Sequence, residues 1–379
     1  MAGGLPILDL KRQYANIREE VQDALKRVFE SQAFILGAEV CTFEEHVERY
    51  LGRGTAVGCA SGTDALVLAL MALDVGPGDE VITTPYSFFA TASCIVRLGA
   101  RPVFADIDPL TYNVNLDDAA AKITPKTKAF LPVHLFGQMV PLERIADTCR
   151  KKGVVIVEDA AQAFGSWRKA GDAIVRAGVM GDLGCYSFFP TKNLGGCGDG
   201  GMVISVDPAR GERLKRLRVH GEGSTYFHEE VGLNSRLDAI QAAVLDVKLS
   251  HLEEWNAERR TIADRYRMFF GVKNLLSIVT LPVELENNFH IYHQYVIRAP
   301  RRDQLKDYLE KRGLSTRVYY PLPLHLQRCF ADLGYGPGDF PESERLAGES
   351  LALPIFGGLL PEEQERLVDA IKEFYGTQS

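Results

Sequence analysis

The sequence predicts an α/β fold, a mostly parallel sheet flanked by helices, followed by a smaller C-terminal α/β domain. Three observations lead there. From about residue 55, short apolar segments alternate with segments of helical periodicity. Those short segments are apolar almost throughout, as strands covered on both faces are. After Ser205, long helical stretches lead into a second, shorter region with strand and helix signals of its own. At 379 residues the chain exceeds the usual size of one core. It is expected to divide into residues 1–250, N-terminal helices plus the large domain, and residues 251–379, the smaller one.

Taken in order, residues 15–30 and 40–51 carry apolar positions at helical spacing, so two helices precede the sheet, with ILGAEV as the turn between them. TAVGCA, DEVITTP, PVFADI, KAFLPVHLFG, GVVIVEDA, GCYSFF and GGMVIS read as strands, with helices from Thr63, near 89–98 and near 141–151. Helices are expected again over 208–218 and 236–270. A βαβ-like region then contains IYHQYVIRA, a helix from Arg302 to Arg312, STRVYYP and an amphipathic helix from Pro361 to Tyr375. No repeat or low-complexity tract interrupts this order.

Hydrophobic residues at 46% and charged residues at 25% are ordinary for a globular protein. A net charge of -7 gives no general attraction to nucleic acid or anionic membrane. The longest apolar run, Ala65 to Leu73, is too short to span a bilayer, and MAGGLPILDL has no signal-peptide pattern, so a cytoplasmic location is expected. Seven scattered cysteines with no CxxC pair argue against a disulfide framework or structural zinc. His290 and His293 stand close together without further ligands, so no metal site is expected.

Gly196, Gly198 and Gly201 match GxGxxG, but the match precedes a strand instead of following one, which excludes a dinucleotide fingerprint. The glycines read better as a flexible loop admitting something bulky. Four other features carry chemistry, and each has a plainer reading. Ser61, Gly62 and Thr63 open a helix after a strand, where free N–H groups suit a phosphate; an ordinary N-cap is the plainer reading. Glu158 and Asp159 end an apolar strand, with Gln162 one turn on, where an acid can hold a cationic ring nitrogen or merely cap a helix. Tyr86, Phe88 and Phe89 follow another strand end, free to stack on a flat ring or to pack in the core. Lys192 sits between a strand and a glycine loop, where a long amine has a task or is simply solvated. Together they suit pyridoxal 5'-phosphate, which needs a lysine for its aldehyde, an acid for its ring nitrogen and N–H donors for its phosphate.

ASGTDAL, GPGDEVI, SFFATA, PVHLFGQ, EDAAQA, YSFFPTKNLGGCGDGG, GLNSRLDAIQAAVL, YYPLPLH and LALPI occur in this order. With them the chain resembles, essentially end to end, the DegT/DnrJ/EryC1/StrS sugar aminotransferases, which are fold type I pyridoxal phosphate enzymes. The resemblance implies that Lys192 forms the Schiff base, that Asp159 pairs with the ring nitrogen and that Gln162 approaches the ring hydroxyl. It implies phosphate binding by Gly62, Thr63 and Ser187, and stacking by Phe88. Asn234 would reach the cofactor of the other subunit, so a homodimer would share its active sites. Tyr226, His228, Arg236, Tyr319 and His325 fall in motifs similar to substrate-facing ones.

A relative with histidine in place of the lysine deoxygenates its sugar, so Lys192 favours transamination. The implied reaction moves an amino group from an amino acid, L-glutamate by analogy, to a keto-sugar nucleotide. C3 is preferred over C4 because GSTYFHEEVGLNSRLD resembles members acting on 3-keto sugars. The alternatives are a cyclitol (keto-inositol) aminotransferase, a pyridoxal phosphate sugar dehydratase, and a regulatory or binding protein without turnover.

Overall fold

The computed structural model describes residues 4–376. The chain opens with α1 (Leu10–Ser31), whose N-terminus is capped by Asp9, and α2 (Ala38–Leu51), which stops at left-handed Gly52. There follow β1 (Thr55–Cys59), α3 (Gly62–Met71), β2 (Glu80–Thr83), α4 (Ala90–Arg97), β3 (Arg101–Phe104), α5 (Leu116–Ala121), β4 (Thr127–Phe130), α6 (Ala146–Lys152) and β5 (Val155–Asp159). A hairpin of β6 (Trp167–Ala170) and β7 (Ala173–Arg176) precedes β8 (Leu183–Ser187), β9 (Gly201–Ser205) and α7 (Pro208–Leu217). A small hairpin of β10 (Glu222–Ser224) and β11 (Phe227–His228) leads to the 34-residue α8 (Ala239–Val272). The chain ends with β12 (Asn288–Phe289), β13 (Tyr295–Arg298), α9 (Arg302–Glu310), α10 (Pro341–Glu349), β14 (Ser350–Leu353) and α11 (Pro361–Gly376).

Seven strands form the central sheet in the order β1-β9-β8-β5-β4-β2-β3. The pairs from β8 through β3 are parallel, with α4, α5 and α6 as crossovers among β2, β3, β4 and β5. Only β9 runs antiparallel, to β1 on one side and β8 on the other. Gly201, its first residue, therefore stands in register with both Cys59 and Ser187, while Cys185 is in register with Asp159. The carboxyl ends of β1, β8 and β5 are thereby gathered on one side of the sheet.

The first half of α8, Ala239 to Leu252, packs with Val28, Phe43 and Phe188 over one face of the sheet. Its second half, Ile262 to Phe270, packs instead with Leu5, Leu305, Leu353 and Leu367. The change of core thus falls within one helix, which passes unbroken through residue 250. The C-terminal region departs from the expected βαβ pattern: β13 and β14 pair antiparallel. STRVYYP forms no strand and contributes a single bridge, Arg317 to Ala352. Its second tyrosine, Tyr320, lies against the site described below.

β1 lies at the sheet edge, where outward N–H groups need partners. Glu48 Oε1 accepts from Ala56 N at 2.8 Å and Glu44 Oε1 from Gly58 N at 2.7 Å. Arg218, which pairs with Glu44, donates to the Gly58 carbonyl at 2.9 Å. Because Glu44 and Arg218 are both buried, each leaves an unpaired charge behind when the other is removed. Glu44→Ala should therefore lose about 3 kcal/mol of unfolding free energy. In a denaturant double-mutant cycle, Glu44→Ala with Arg218→Ala should lose clearly less than the sum of the single losses; additive losses would show that the pair does not act as a unit.

Candidate active site

β5 ends in two adjacent carboxylates that point to opposite faces of the sheet. Glu158 is saturated: it accepts from His134 Nε2 at 2.6 Å, Gly178 N at 2.9 Å and Gly181 N at 2.6 Å. Val140 N donates to His134 Nδ1, which leaves the ring proton on Nε2. Asp159 is buried and accepts from Thr91 Oγ1 at 2.8 Å and Ala161 N at 3.2 Å. Burial pushes its pKa up, against the pull of these donors and of the Lys192 charge. Such a carboxylate is stabilised by a cation brought against it.

Lys192 supplies the opposite deficiency. It is half-buried, and among the described residues its amine has neither a hydrogen bond nor an ion pair. Desolvation lowers its pKa to about 8, the Asp159 charge opposing only in part. A tight turn holds its backbone, Lys192 N donating to the Phe189 carbonyl at 2.8 Å.

The glycines that follow are packed, not flexible as the sequence reading expects. A Cβ at Gly195 would lie 2.5 Å from the Pro190 carbonyl oxygen, and one at Gly196 2.7 Å from Gln241 Oε1. At Gly201 it would strike the Ser61 carbonyl. The glycines let backbone lie on backbone.

At the start of α3, Ser61 Oγ accepts from Asp64 N at 3.1 Å, and Gly62 and Thr63 are half-buried. A Cβ on Gly62 would stand 2.5 Å from Ser187 Cβ, so this helix start and the end of β8 form one cradle. Ser235 Oγ accepts from Ala60 N at 3.2 Å and donates to Asp64 Oδ2 at 2.7 Å, tying the 234 region to the same helix start. Asn234 itself is exposed, its backbone bridging to Val219.

Gln162 is buried, its Oε1 accepting from Phe136 N at 2.7 Å and its Nε2 donating to Tyr320 OH at 3.0 Å. Phe88 is 58% exposed and lies 6.4 Å, centroid to centroid, from the Tyr320 ring, whereas Tyr86 is buried. The Tyr86 hydroxyl bonds to the Tyr319 carbonyl at 2.5 Å and to Ser350 Oγ at 3.0 Å, which makes it a structural residue. Phe89 stacks on Phe330.

The structure thus brings together Gly62, Thr63, Ser187, Asp159, Gln162 and Lys192 at the gathered strand ends, with Phe88 beside Tyr320. Tyr226, 88% exposed, and His228 occupy the β10–β11 hairpin. Arg236 keeps a buried Nε without a partner. Tyr319 contributes its carbonyl to Tyr86. His325 is buried, with Nε2 3.1 Å from Glu344 and its ring against Phe340. Among the described residues, none of these five is hydrogen-bonded to Lys192, Asp159 or Gln162. Sequence reasoning missed Thr91 and Tyr320; of the paired tyrosines in YYP, only contact with Gln162 distinguishes the second. Among the described residues no group of three or more His, Cys, Asp or Glu side chains is arranged to hold a metal ion.

This donor set fits pyridoxal phosphate: an unpaired amine, a desolvated carboxylate and a helix start that opens on a glycine.

The profile of the DegT/DnrJ/EryC1/StrS aminotransferase family matches residues 15–372. The chain is 47% identical to the "Pleiotropic regulatory protein" of Geobacillus stearothermophilus, over 98% of each chain. It is 39% identical to the UDP-N-acetyl-3-dehydro-alpha-D-glucosamine 3-aminotransferase of Acidithiobacillus ferrooxidans, over 97% of each. Among solved structures, S. venezuelae DesV in complex with a ketimine intermediate superposes with a TM-score of 0.94 at 38% identity, covering 98% of this chain and 99% of that one. Bacillus subtilis NtdA with bound cofactor PMP gives 0.91 at 28% identity, covering 100% and 86%.

In cofactor-free protein, the reactivity of the Lys192 amine should follow its neutral form. Competitive acetylation across pH 6–11 should give Lys192 a midpoint near 8, below the ordinary lysine value of about 10.4. Reactivity should rise about tenfold per pH unit below that midpoint; an ordinary midpoint would show a solvated amine.

Proposed function

The chain belongs to the DegT/DnrJ/EryC1/StrS aminotransferase family, and on that premise we infer that it is a pyridoxal 5'-phosphate-dependent nucleotide-sugar aminotransferase, carrying an amino group from L-glutamate to C3 of a keto-sugar nucleotide. The observation that carries this reading is the unpaired, desolvated Lys192 amine near the buried carboxylate of Asp159. Choice of C3 over C4 is supported by the similarity to the 3-aminotransferase. All seven cysteines are free, which suits a reducing cytoplasm.

Gly62, Thr63 and Ser187 would hold the phosphate, Phe88 would cover one ring face, Gln162 would meet the ring hydroxyl and Asp159 the ring nitrogen. When bound, pyridoxal phosphate supplies an aldehyde that joins to amines and a ring that takes up the electron pair left at a carbon. Lys192 would hold the group covalently through Nζ, and its free amine would be the base that takes the proton from the donor α-carbon. A pKa near 8 keeps an appreciable neutral fraction of that amine available at neutral pH. With the keto-sugar as acceptor, Nζ delivers a proton to the sugar carbon. Asp159 would pair with the ring nitrogen and favour a proton there. The buried Thr91 bond fixes the direction of that carboxylate.

The site is completed by a second copy of the chain. Exposed Asn234 and the apolar residues Tyr226, Phe227 and Val231, 88%, 73% and 89% exposed, support this reading, because a surface so apolar is normally covered. A purely regulatory role, which the name of one relative suggests, would not require a desolvated and unpaired lysine.

Incubation with glutamate and a panel of acceptors should give amino transfer to 3-keto sugar nucleotides in preference to 4-keto ones and keto-inositols. Asp159→Asn should bind cofactor yet lose about a hundredfold or more in kcat, roughly 2.7 kcal/mol. Near-normal turnover in that variant would reduce Asp159 to a helix cap.

Lys192→Ala and Asn234→Ala should each be impaired, and mixing them should restore activity, since one site of each mixed dimer is intact. If subunit exchange is verified by differential tagging and activity does not return, the shared-site arrangement is wrong.

A further inference from the structure

His293, paired with His290 in the sequence as a weak metal motif, lies near the Lys192 amine. We propose that His293 is a positioning residue for Lys192: its ring donates from Nδ1 to the side chain of Asn193, the next residue along, and through Asn256 ties the lysine turn to α8. The proposal rests on the reading of Lys192 as the residue that carries the cofactor.

The hydrogen bonds run in one direction. Asn256 Nδ2 donates to the Phe164 carbonyl at 3.4 Å, which leaves Asn256 Oδ1 to accept from Asn193 Nδ2 at 2.7 Å. Asn193 Oδ1 then accepts, at 2.9 Å, and only a proton on His293 Nδ1 can meet it. All three side chains are buried. Nδ1 therefore carries the ring proton and Nε2 is bare. A second proton there is opposed by the charges of Lys192 and Arg259. The Arg259 Nη1 donates to the carbonyls of Tyr292, His293 and Ile355 at 3.2, 3.3 and 3.1 Å. Burial first, then these two cations, holds His293 far below the usual imidazole range, so the ring stays neutral at working pH.

Two glycines show that the pin is built into the fold. A Cβ on left-handed Gly165 would overlap Asn256 Nδ2. One on left-handed Gly137 would come 3.0 Å from His293 N, where Ile291 N already donates to the Gly137 carbonyl at 3.1 Å. Fixing the Asn193 side chain fixes the peptide it shares with Lys192, and so the direction in which the lysine stem leaves the turn.

The test separates the two ring nitrogens. Asparagine at 293 places an N–H near the position of Nδ1, and glutamine places one near Nε2. His293→Gln should lower kcat about tenfold or more with donor KM changed less than about threefold, while His293→Asn should restore most of the loss. Equal activity of the two variants would overturn the proposal, as would a loss confined to KM. The ring ¹⁵N spectrum of labelled wild-type protein, with His293 assigned by comparison with His293→Asn, gives a readout independent of turnover. It should show Nδ1 protonated and Nε2 bare across pH 6–9; a doubly protonated ring or a proton on Nε2 would overturn the proposal. If borohydride reduction of the holoenzyme labels a lysine other than Lys192, the cofactor reading fails, and the nitrogen spectrum still decides the pin.

Discussion

Everything in the site depends on one strand direction. Because β9 enters the sheet antiparallel between β1 and β8, its first residue meets the last residues of both neighbours, Gly201 against Cys59 and Ser187. A parallel strand there would put its own carboxyl end, and a further loop, where the α3 start and the lysine turn now converge. The antiparallel strand instead lets the chain leave β8, make the lysine turn and return directly beside the helix start. That return is tight enough for the Gly201 position to lie on the Ser61 carbonyl, so glycine there is a condition of closure.

Given that closure, the electrostatics follow from what is left unpaired. The chain satisfies most of its buried charges: Glu158 with three donors, Glu44 with Arg218 and the Gly58 amide, Arg259 with three carbonyls. Among the described residues, the half-buried Lys192 amine has no such partner. An unpaired lysine taken out of water favours its neutral form, and its fall to about 8 reflects that desolvation. A salt bridge to Asp159 would have stabilised the ammonium and removed the nucleophile, so keeping the two apart while leaving the carboxylate near enough to act on a bound cation serves both roles. A neutral histidine near the amine, in place of a further acid, is consistent with the same end.

Much of this was legible in the sequence, for identifiable reasons. The central strands were readable because burial on both faces makes them apolar throughout, and Lys192 and Asp159 because a polar residue at the end of such a run is out of place. The direction of β9 was not readable, since GGMVIS has the same composition whichever way it runs. The β6–β7 hairpin escaped notice because its outer strand, Ala173–Arg176, is partly exposed and only four residues long. STRVYYP has strand composition, yet it forms no strand, and Tyr320 lies against Gln162. His293 was visible only as half of a failed metal pair, because its partner Asn193 lies 100 residues away and the next link, Asn256, a further 63. Hydrogen bonds of that span leave no periodic trace.

The adjacent acids of β5 show why residue type alone does not assign a role. Alternation along a strand sends Glu158 and Asp159 to opposite sides. On one side two glycine amides and His134 converge on Glu158, so it has no strong interaction left to offer a ligand. On the other, Thr91 and Ala161 hold Asp159, and the Lys192 charge acts on it. Two carboxylates one residue apart therefore do different work, one closing the loop that leads into β8 and one held ready for a positive charge from outside. What separates them is the number of donors the fold has already committed, a quantity set by Gly178, Gly181 and His134 and not by the acids themselves.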